Sequence, residues 1–280
     1  MDANRHSRTA RGAAGFRAAH QLVEGGAIFA DPFARAILDA EALAEADLRA
    51  ADPATRPTRM FMAVRSRYAE DALAGAVGRG IRQAVVLGAG LDTLALRNPH
   101  RAAGLRVFEV DHPATQAWKR ERLAAAGLAL PDLLTFVPID FERQALGQGL
   151  AAAGFRHDLP AFFIWLGVVP YLARPAIERV LAFVASVPHG EIVFDYSEPL
   201  ENYPPERRAG VAALGARAAA AGEPWLSHFD PSDLHDLARR LGLALVEDLG
   251  VAGVAVRFFG VPEHAAPAGA GPHVVHFVQA

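Results

Sequence analysis

The chain has 280 residues, 52% of them hydrophobic and 21% charged, with a net charge of -3 and no cysteine. That length suffices for one large domain with a substantial core, or for two small ones. The lack of cysteine excludes a disulfide framework, a thiolate metal site and a cysteine nucleophile. The near-neutral charge gives no broad basic footprint for nucleic acid, and no apolar run approaches the ~18–20 residues of a membrane span. With a polar, Arg-bearing start and no apolar leader after it, a soluble cytoplasmic protein is expected.

Residues 1–12 carry Arg5, Arg8 and Arg11 and are expected to fray. Gly15–Leu48 has a helical pattern broken at Gly25-Gly26 and at Asp31-Pro32. The second break predicts a helix start, with Asp31 as N-cap and Pro32 as the first helical residue. Ala51–Pro57 reads as a linker. Thr58–Val77 reads as a helix with Phe61, Val64, Tyr68 and Leu73 near one face, ended by Gly78 and Gly80. Then strands alternate with helices. Strands are expected at Ala84–Leu87, Leu105–Val110, Leu134–Pro138, Ala161–Leu166 and Glu191–Tyr196, with closing strands at Leu243–Asp248 and Val274–Val278. Helices are expected at Ala114–Ala126, Pro175–Val187 and Pro231–Leu241, the last capped by Asp230, with an Ala-rich helix inside Ser197–Gly222. This alternation predicts an α/β fold with an open, mostly parallel sheet and helices on both faces. In such sheets ligands bind beyond the C-terminal ends of the strands.

The residues just after each strand carry the chemistry. After the first come Gly88-Ala89-Gly90-Leu91-Asp92-Thr93. Glycines there permit a sharp turn and close ligand approach, but Thr93 stands where a dinucleotide loop has its third glycine. After the second come Glu109-Val110-Asp111-His112, where Asp111 is placed to accept both hydroxyls of a ribose. After the third come Asp140 and Phe141, an acid for an exocyclic amine and an apolar wall for an adenine; the plainer reading is a helix cap with a core Phe. After the fourth come Trp165-Leu166-Gly167 and, beyond them, Pro170-Tyr171, a loop able to wall a pocket. Glycine turn and acidic tip together point to an adenosine-containing ligand.

These segments resemble the S-adenosylmethionine-dependent methyltransferases related to leucine carboxyl methyltransferase, including bacterial polyketide O-methyltransferases of the tetracenomycin type. The resemblance runs through Val85–Thr93, Phe108–Pro113, Val137–Phe141 and Trp165–Leu172, and also through Ile28–Ala34, Ala63–Asp71 and Glu223–Pro231. It implies a class I methyltransferase-like Rossmann sheet, mostly parallel and seven-stranded with an antiparallel last strand. It also implies a helical lid over residues 1–80 and a cofactor-binding α/β domain over 81–280 with a lid insertion at about 197–230. S-adenosylmethionine is the implied cofactor. Gly88, Ala89 and Gly90 would hold its amino-acid end, Asp111 its ribose, and Asp140 and Phe141 its adenine. His112 and Trp165 would lie beside it. Arg65 would pair with its carboxylate, with Arg17 near a second basic position. Leu166 departs from members that have a cofactor-holding glutamate there.

A methyl sulfonium is already activated, so catalysis is chiefly in-line positioning. A carboxylate acceptor needs no base, whereas a phenol gains from one. Candidate bases are His228, His112 and His20, with His228 first because it lies in the late segment; Tyr171 and Tyr196 are candidate partners for an acceptor oxygen. The expected partner is a small-molecule acceptor, with no nucleic acid and no membrane; a homo-oligomer is compatible with the sequence. The competing readings are a nicotinamide-dependent oxidoreductase, a non-catalytic S-adenosylmethionine-binding protein, and a protein carboxyl methyltransferase.

Overall fold

The computed structural model describes residues 8–140, 144–220 and 222–280. The chain divides into two compact units, residues 1–155 and 156–280.

The first unit opens with helices α1 (Arg8–Val23), α2 (Ala40–Ala51) and α3 (Arg56–Gly78). Small residues let them approach closely. Ala14 and Ala18 of α1 and Ala42 and Ala46 of α2 are buried in one cluster with Ala34, Ile37, Leu38 and two residues from further along the chain, Leu91 and Leu123. The helix expected from Pro32 does not form: residues 32–37 are turns, and α2 begins after Asp39, whose Oδ1 accepts from Ala42 N at 2.8 Å. Asp31 does accept from Phe33 N, but its buried carboxylate is drawn to Arg17 Nε at 3.2 Å and Arg97 Nε at 3.6 Å. Tertiary ion pairing has overridden local capping preference.

Next come β1 (Gln83–Leu87), a short helix α4 (Leu94–Arg97), β2 (Arg106–Asp111), α5 (Pro113–Ala125), β3 (Leu134–Pro138) and α6 (Leu146–Ala152). β1 is buried along its whole length, as a strand covered on both faces should be. It pairs in parallel with β2, and β2 with β3. Neither α4 nor α6 is legible as a helix in the sequence. α6 carries two glycines in seven residues, Gly147 and Gly149, so intrinsic propensity argues against it.

The second unit holds β4 (Phe162–Trp165), α7 (Arg174–Ala185), β5 (Glu191–Ser197), α8 (Pro205–Ala220), α9 (Pro231–Arg240), β6 (Leu243–Leu249), α10 (Val251–Phe259) and β7 (Pro272–Gln279). β4 and β5 are parallel; β7 runs antiparallel to both β5 and β6, with a bulge between Leu245 and Glu247. Asp230 occupies the N-cap position of α9, but its side chain makes no cap bond and accepts from Asn202 Nδ2 at 2.6 Å. The helix α10 was not foreseen. The strand order is β3-β2-β1-β4-β5-β7-β6, a seven-stranded, mostly parallel sheet with one reversed strand. Among the described residues no helix is long and apolar enough to cross a membrane.

Candidate active site

In the first unit, the turn after β1 is built by glycine and held from β2. Gly88 and Gly90 have φ of +64° and +48°, a left-handed region that side chains other than glycine rarely occupy. Gly88 N and Ala89 N both donate to Val110 O, at 2.8 and 3.1 Å. Gly90 N donates to Asp111 Oδ2 at 2.5 Å, and His112 N to Asp111 Oδ1 at 2.7 Å. A Cβ on Gly90 would stand 2.8 Å from Ala10 Cβ, so α1 lies directly on the turn. Asp92 Oδ1 accepts from Leu94 N at 2.7 Å and starts α4. Burial raises the Asp111 pKa, and the two backbone N–H groups only partly oppose it. Each carboxylate oxygen accepts one amide and keeps capacity for a second donor. That set fits a ribose diol, and of the glycine turn beside it Gly88 is the half-buried residue, while Ala89 and Gly90 are buried.

Beneath this turn lies a pair that sequence reasoning missed. Lys119 and Glu109 are almost completely buried, with Nζ 2.5 Å from Oε2. The same Nζ donates to Asp92 O at 2.6 Å, tying α5 to the glycine turn. Glu109 Oε1 has no hydrogen-bond partner among the described residues. Burial raises Glu109 to about 7 despite the ammonium beside it. The available signal was compositional: Lys119 is the only lysine of an arginine-rich chain.

The remaining expected residues of this unit divide by environment. His112 is the N-cap of α5, with Nδ1 accepting from Ala114 N at 3.3 Å. Asp140 follows β3 and its backbone N donates to Gln144 Oε1 at 3.0 Å. Phe141 lies outside the described residues. Arg65 is buried in α3. Arg17 Nη2 donates to Leu91 O at 2.6 Å while its Nε bonds Asp31, so it braces the glycine turn from α1. His20 has both ring nitrogens engaged, Nδ1 with Glu24 at 3.1 Å and Nε2 with Phe29 N at 3.4 Å. Burial lowers its pKa, and Glu24 is in turn clamped by Arg59. This is a cross-brace of the N-terminal helices.

In the second unit, Trp165 ends β4 fully buried, edge-on to Phe194 at 5.9 Å, with its Nε1 unpartnered among the described residues. It belongs to the core of this unit. Leu166 is half-buried, and Gly167 N donates to Asp195 Oδ1 at 2.5 Å. Tyr171 ends a short turn of 3-10 helix and is half-buried. Pro170 O accepts from Leu226 N and Ser227 N, and Ser227 Oγ donates to Leu172 O, which sets His228 beside this loop. His228 lies edge-on to Trp225 at 6.0 Å and its buried Nδ1 has no partner among the described residues.

Tyr196 does not face outward as a free donor. Its hydroxyl donates to Asp248 Oδ2 at 2.5 Å and lies 3.2 Å from His273 Nδ1; burial, then Asp248, raise its pKa strongly. Asp248 also contacts His273 Nδ1 at 2.8 Å and His235 Nε2 at 2.8 Å, and His273 Nε2 lies 3.2 Å from Glu198 Oε1. Burial draws the His273 pKa down, but its two carboxylate neighbours outweigh that and hold it above the ordinary value. For Asp248, burial works upward and the bonds from His273 and Tyr196 win, leaving it below the ordinary carboxylate value. Glu198, Asp248 and His273 were not foreseen, because they are far apart in sequence and carry no local motif.

The model of the leucine carboxyl methyltransferase family matches residues 10–185. The chain belongs to the leucine carboxyl methyltransferase family. It is 36% identical over 217 residues to YktD of Bacillus subtilis, a protein named as an S-adenosyl-L-methionine-dependent methyltransferase, covering 77% of this chain and 71% of that one. A similarly named protein of Mycolicibacterium smegmatis is 32% identical over 221 residues, covering 74% and 69%. A solved structure assigned as a sarcosine dimethylglycine methyltransferase of Galdieria sulphuraria shares the fold, with a TM-score of 0.51 at 14% identity over 79% of this chain and 88% of that chain. The protein is an S-adenosylmethionine-dependent methyltransferase, as the family resemblance of Val85–Thr93 and Phe108–Pro113 implies. The nicotinamide-dependent alternative falls with that assignment.

Proposed function

We propose that the enzyme transfers the methyl group of S-adenosylmethionine to an oxygen of a small molecule, a phenol or a carboxylate of the polyketide kind. The cofactor half of this reading rests on one observation: the glycine turn is fastened by Gly90 N to the same Asp111 carboxylate that would receive the ribose. In this reading Gly88, Ala89 and Gly90 receive the methionyl end and Arg65 its carboxylate, with Arg17 holding the turn in place. Asp140 and Phe141 meet the adenine, with His112 as a neighbour.

When bound, the cofactor supplies a methyl group already activated on a sulfonium. The protein's work is to hold the acceptor oxygen in line behind that methyl, where positioning alone is worth ~7–11 kcal/mol, and to take up a proton if the acceptor is a hydroxyl. His228 is the candidate for that task, since its buried Nδ1 makes no hydrogen bond among the described residues. Tyr171 is the candidate to orient the acceptor oxygen. The reaction is tested by incubating the protein with S-adenosylmethionine and a panel of hydroxyl, carboxyl and amine acceptors, and locating the transferred methyl by mass spectrometry. Methyl ethers or esters are expected. Methyl transfer confined to nitrogen or carbon would overturn the reading.

A further inference from the structure

The second unit contains a pocket of about 220 Å³ against one face of α8, lined by Leu200, Val211, Ala212 and Trp225 among its apolar groups and by Glu198 and His228. Glu198 follows directly on β5, on the side of a parallel sheet where ligands bind. We propose that this pocket takes the methyl acceptor, and that it selects a molecule of about single-ring size presenting a neutral hydroxyl over one presenting a carboxylate. This deepens the O-methyltransferase reading and rests on it.

Size comes first. Pockets for drug-sized ligands run to about 300–1,000 Å³, so this one suits a smaller body or one ring of a larger molecule. Its floor is set by a glycine: a Cβ on Gly215 of α8 would stand 3.3 Å from Trp225 Cε3. The indole therefore rests on the helix backbone.

Charge decides the class. A carboxylate ligand is recognised by an arginine fork or an equivalent cation. Among the residues lining this pocket there is no arginine or lysine, and the one acid is Glu198. The arginines at the start of α8 are turned to other partners. Arg207 donates to Ala270 O, and Arg208 donates to Tyr203 O and Glu201 O.

Glu198 is itself held firmly. Its Oε1 accepts from Gly271 N at 3.1 Å and lies 3.2 Å from His273 Nε2, and its Oε2 accepts from Asn202 Nδ2 at 2.9 Å. Behind it His273 is shared with Asp248, and Asn202 is shared with Asp230. The cluster contains three acids, Glu198, Asp248 and Asp230, against two imidazoles, His273 and His235. A second anion entering the pocket meets like charge, whereas a hydroxyl finds an acceptor in Glu198. His228 also lines the pocket, and its buried Nδ1 has no partner among the described residues, an arrangement that is unfavourable until a ligand or water satisfies it.

The test uses the full chain and two probes of matched shape, 4-methylphenol and 4-methylbenzoate, titrated by calorimetry with and without S-adenosylhomocysteine. The phenol is expected to bind at least about tenfold more tightly than the benzoate. Glu198→Gln should shrink that ratio by weakening the phenol and admitting the benzoate. Gly215→Val, which pushes a side chain against Trp225, should abolish binding of both probes while S-adenosylhomocysteine still binds. Equal binding of the two probes, tighter binding of the benzoate, no binding of the phenol, or unchanged binding in Gly215→Val would overturn the proposal. Failure of S-adenosylhomocysteine to bind would instead count against the cofactor reading, and the probe ratio measured without it still judges the pocket.

Discussion

In the first unit, Gly88, Ala89 and Gly90 are fixed by their own amides to Val110 O and Asp111. In the second unit, Glu198 is fixed by Asn202, Gly271 and His273, and His273 by Asp248. A turn held by backbone needs only a short string of residue types in the right order. A carboxylate held by side chains needs residues brought together from three segments of the chain. The first kind of site suits a ligand whose shape never varies, such as a cofactor. The second can be altered one side chain at a time, which suits an acceptor.

The largest effect that would sharpen this contrast is expected at Lys119. Replacing it with Met leaves the buried Glu109 without its cation, which costs about 3–5 kcal/mol of stability when the remaining group stays charged. Chemical denaturation should show that loss in alkaline buffer and a smaller one in acid, because Glu109 takes up a proton. An equal loss at both pH values would mean the pair is not carrying charge.

Asp111→Ala comes next and should weaken S-adenosylhomocysteine binding by ~1–3 kcal/mol, the scale of a lost buried hydrogen-bonding partner. Arg65→Ala should weaken it more than Arg17→Ala, whose side chain acts through Leu91 O. Calorimetry on the three variants checks the order, and a reversal would move the carboxylate-binding role to Arg17.

The pH dependence of stability is where the two units should separate. Glu109 has a folded-state pKa raised from 4.5 to about 7. The folded state therefore binds more protons in that window, and stability falls as pH rises through it. His273 has a raised pKa as well, so its contribution is complete below 6.5 and is lost as pH rises through its higher folded-state value. Glu109→Gln should flatten the lower window and His273→Gln the upper one, each read from denaturation midpoints across pH. A variant that flattened both would show that the two halves are not independent.

The same contrast explains what the sequence reveals. Strands β1 to β5 are legible as short apolar runs, buried except in the half-buried β3, and Gly88–Thr93 and Asp111 because their spacing is local. Asp31 misleads because it has a capping residue's sequence context but spends its carboxylate on Arg17 and Arg97. Tyr196 is legible as a residue near a strand end, but not as the partner of Asp248, which lies on another strand. Glu198 and His273 have no signature at all. Their meaning comes only from the antiparallel pairing of β5 with β7, which sets Tyr196 opposite His273.

The most direct measurement is calorimetric titration of the purified protein with S-adenosylmethionine and S-adenosylhomocysteine, with NAD and NADP as controls. Micromolar binding of the two sulfur compounds, weakened in Asp111→Ala and absent for the dinucleotides, is the predicted result. Binding of a dinucleotide, or sulfur-compound binding that Asp111→Ala leaves unchanged, would contradict the assignment of Gly88–Thr93 and Asp111 as the cofactor site.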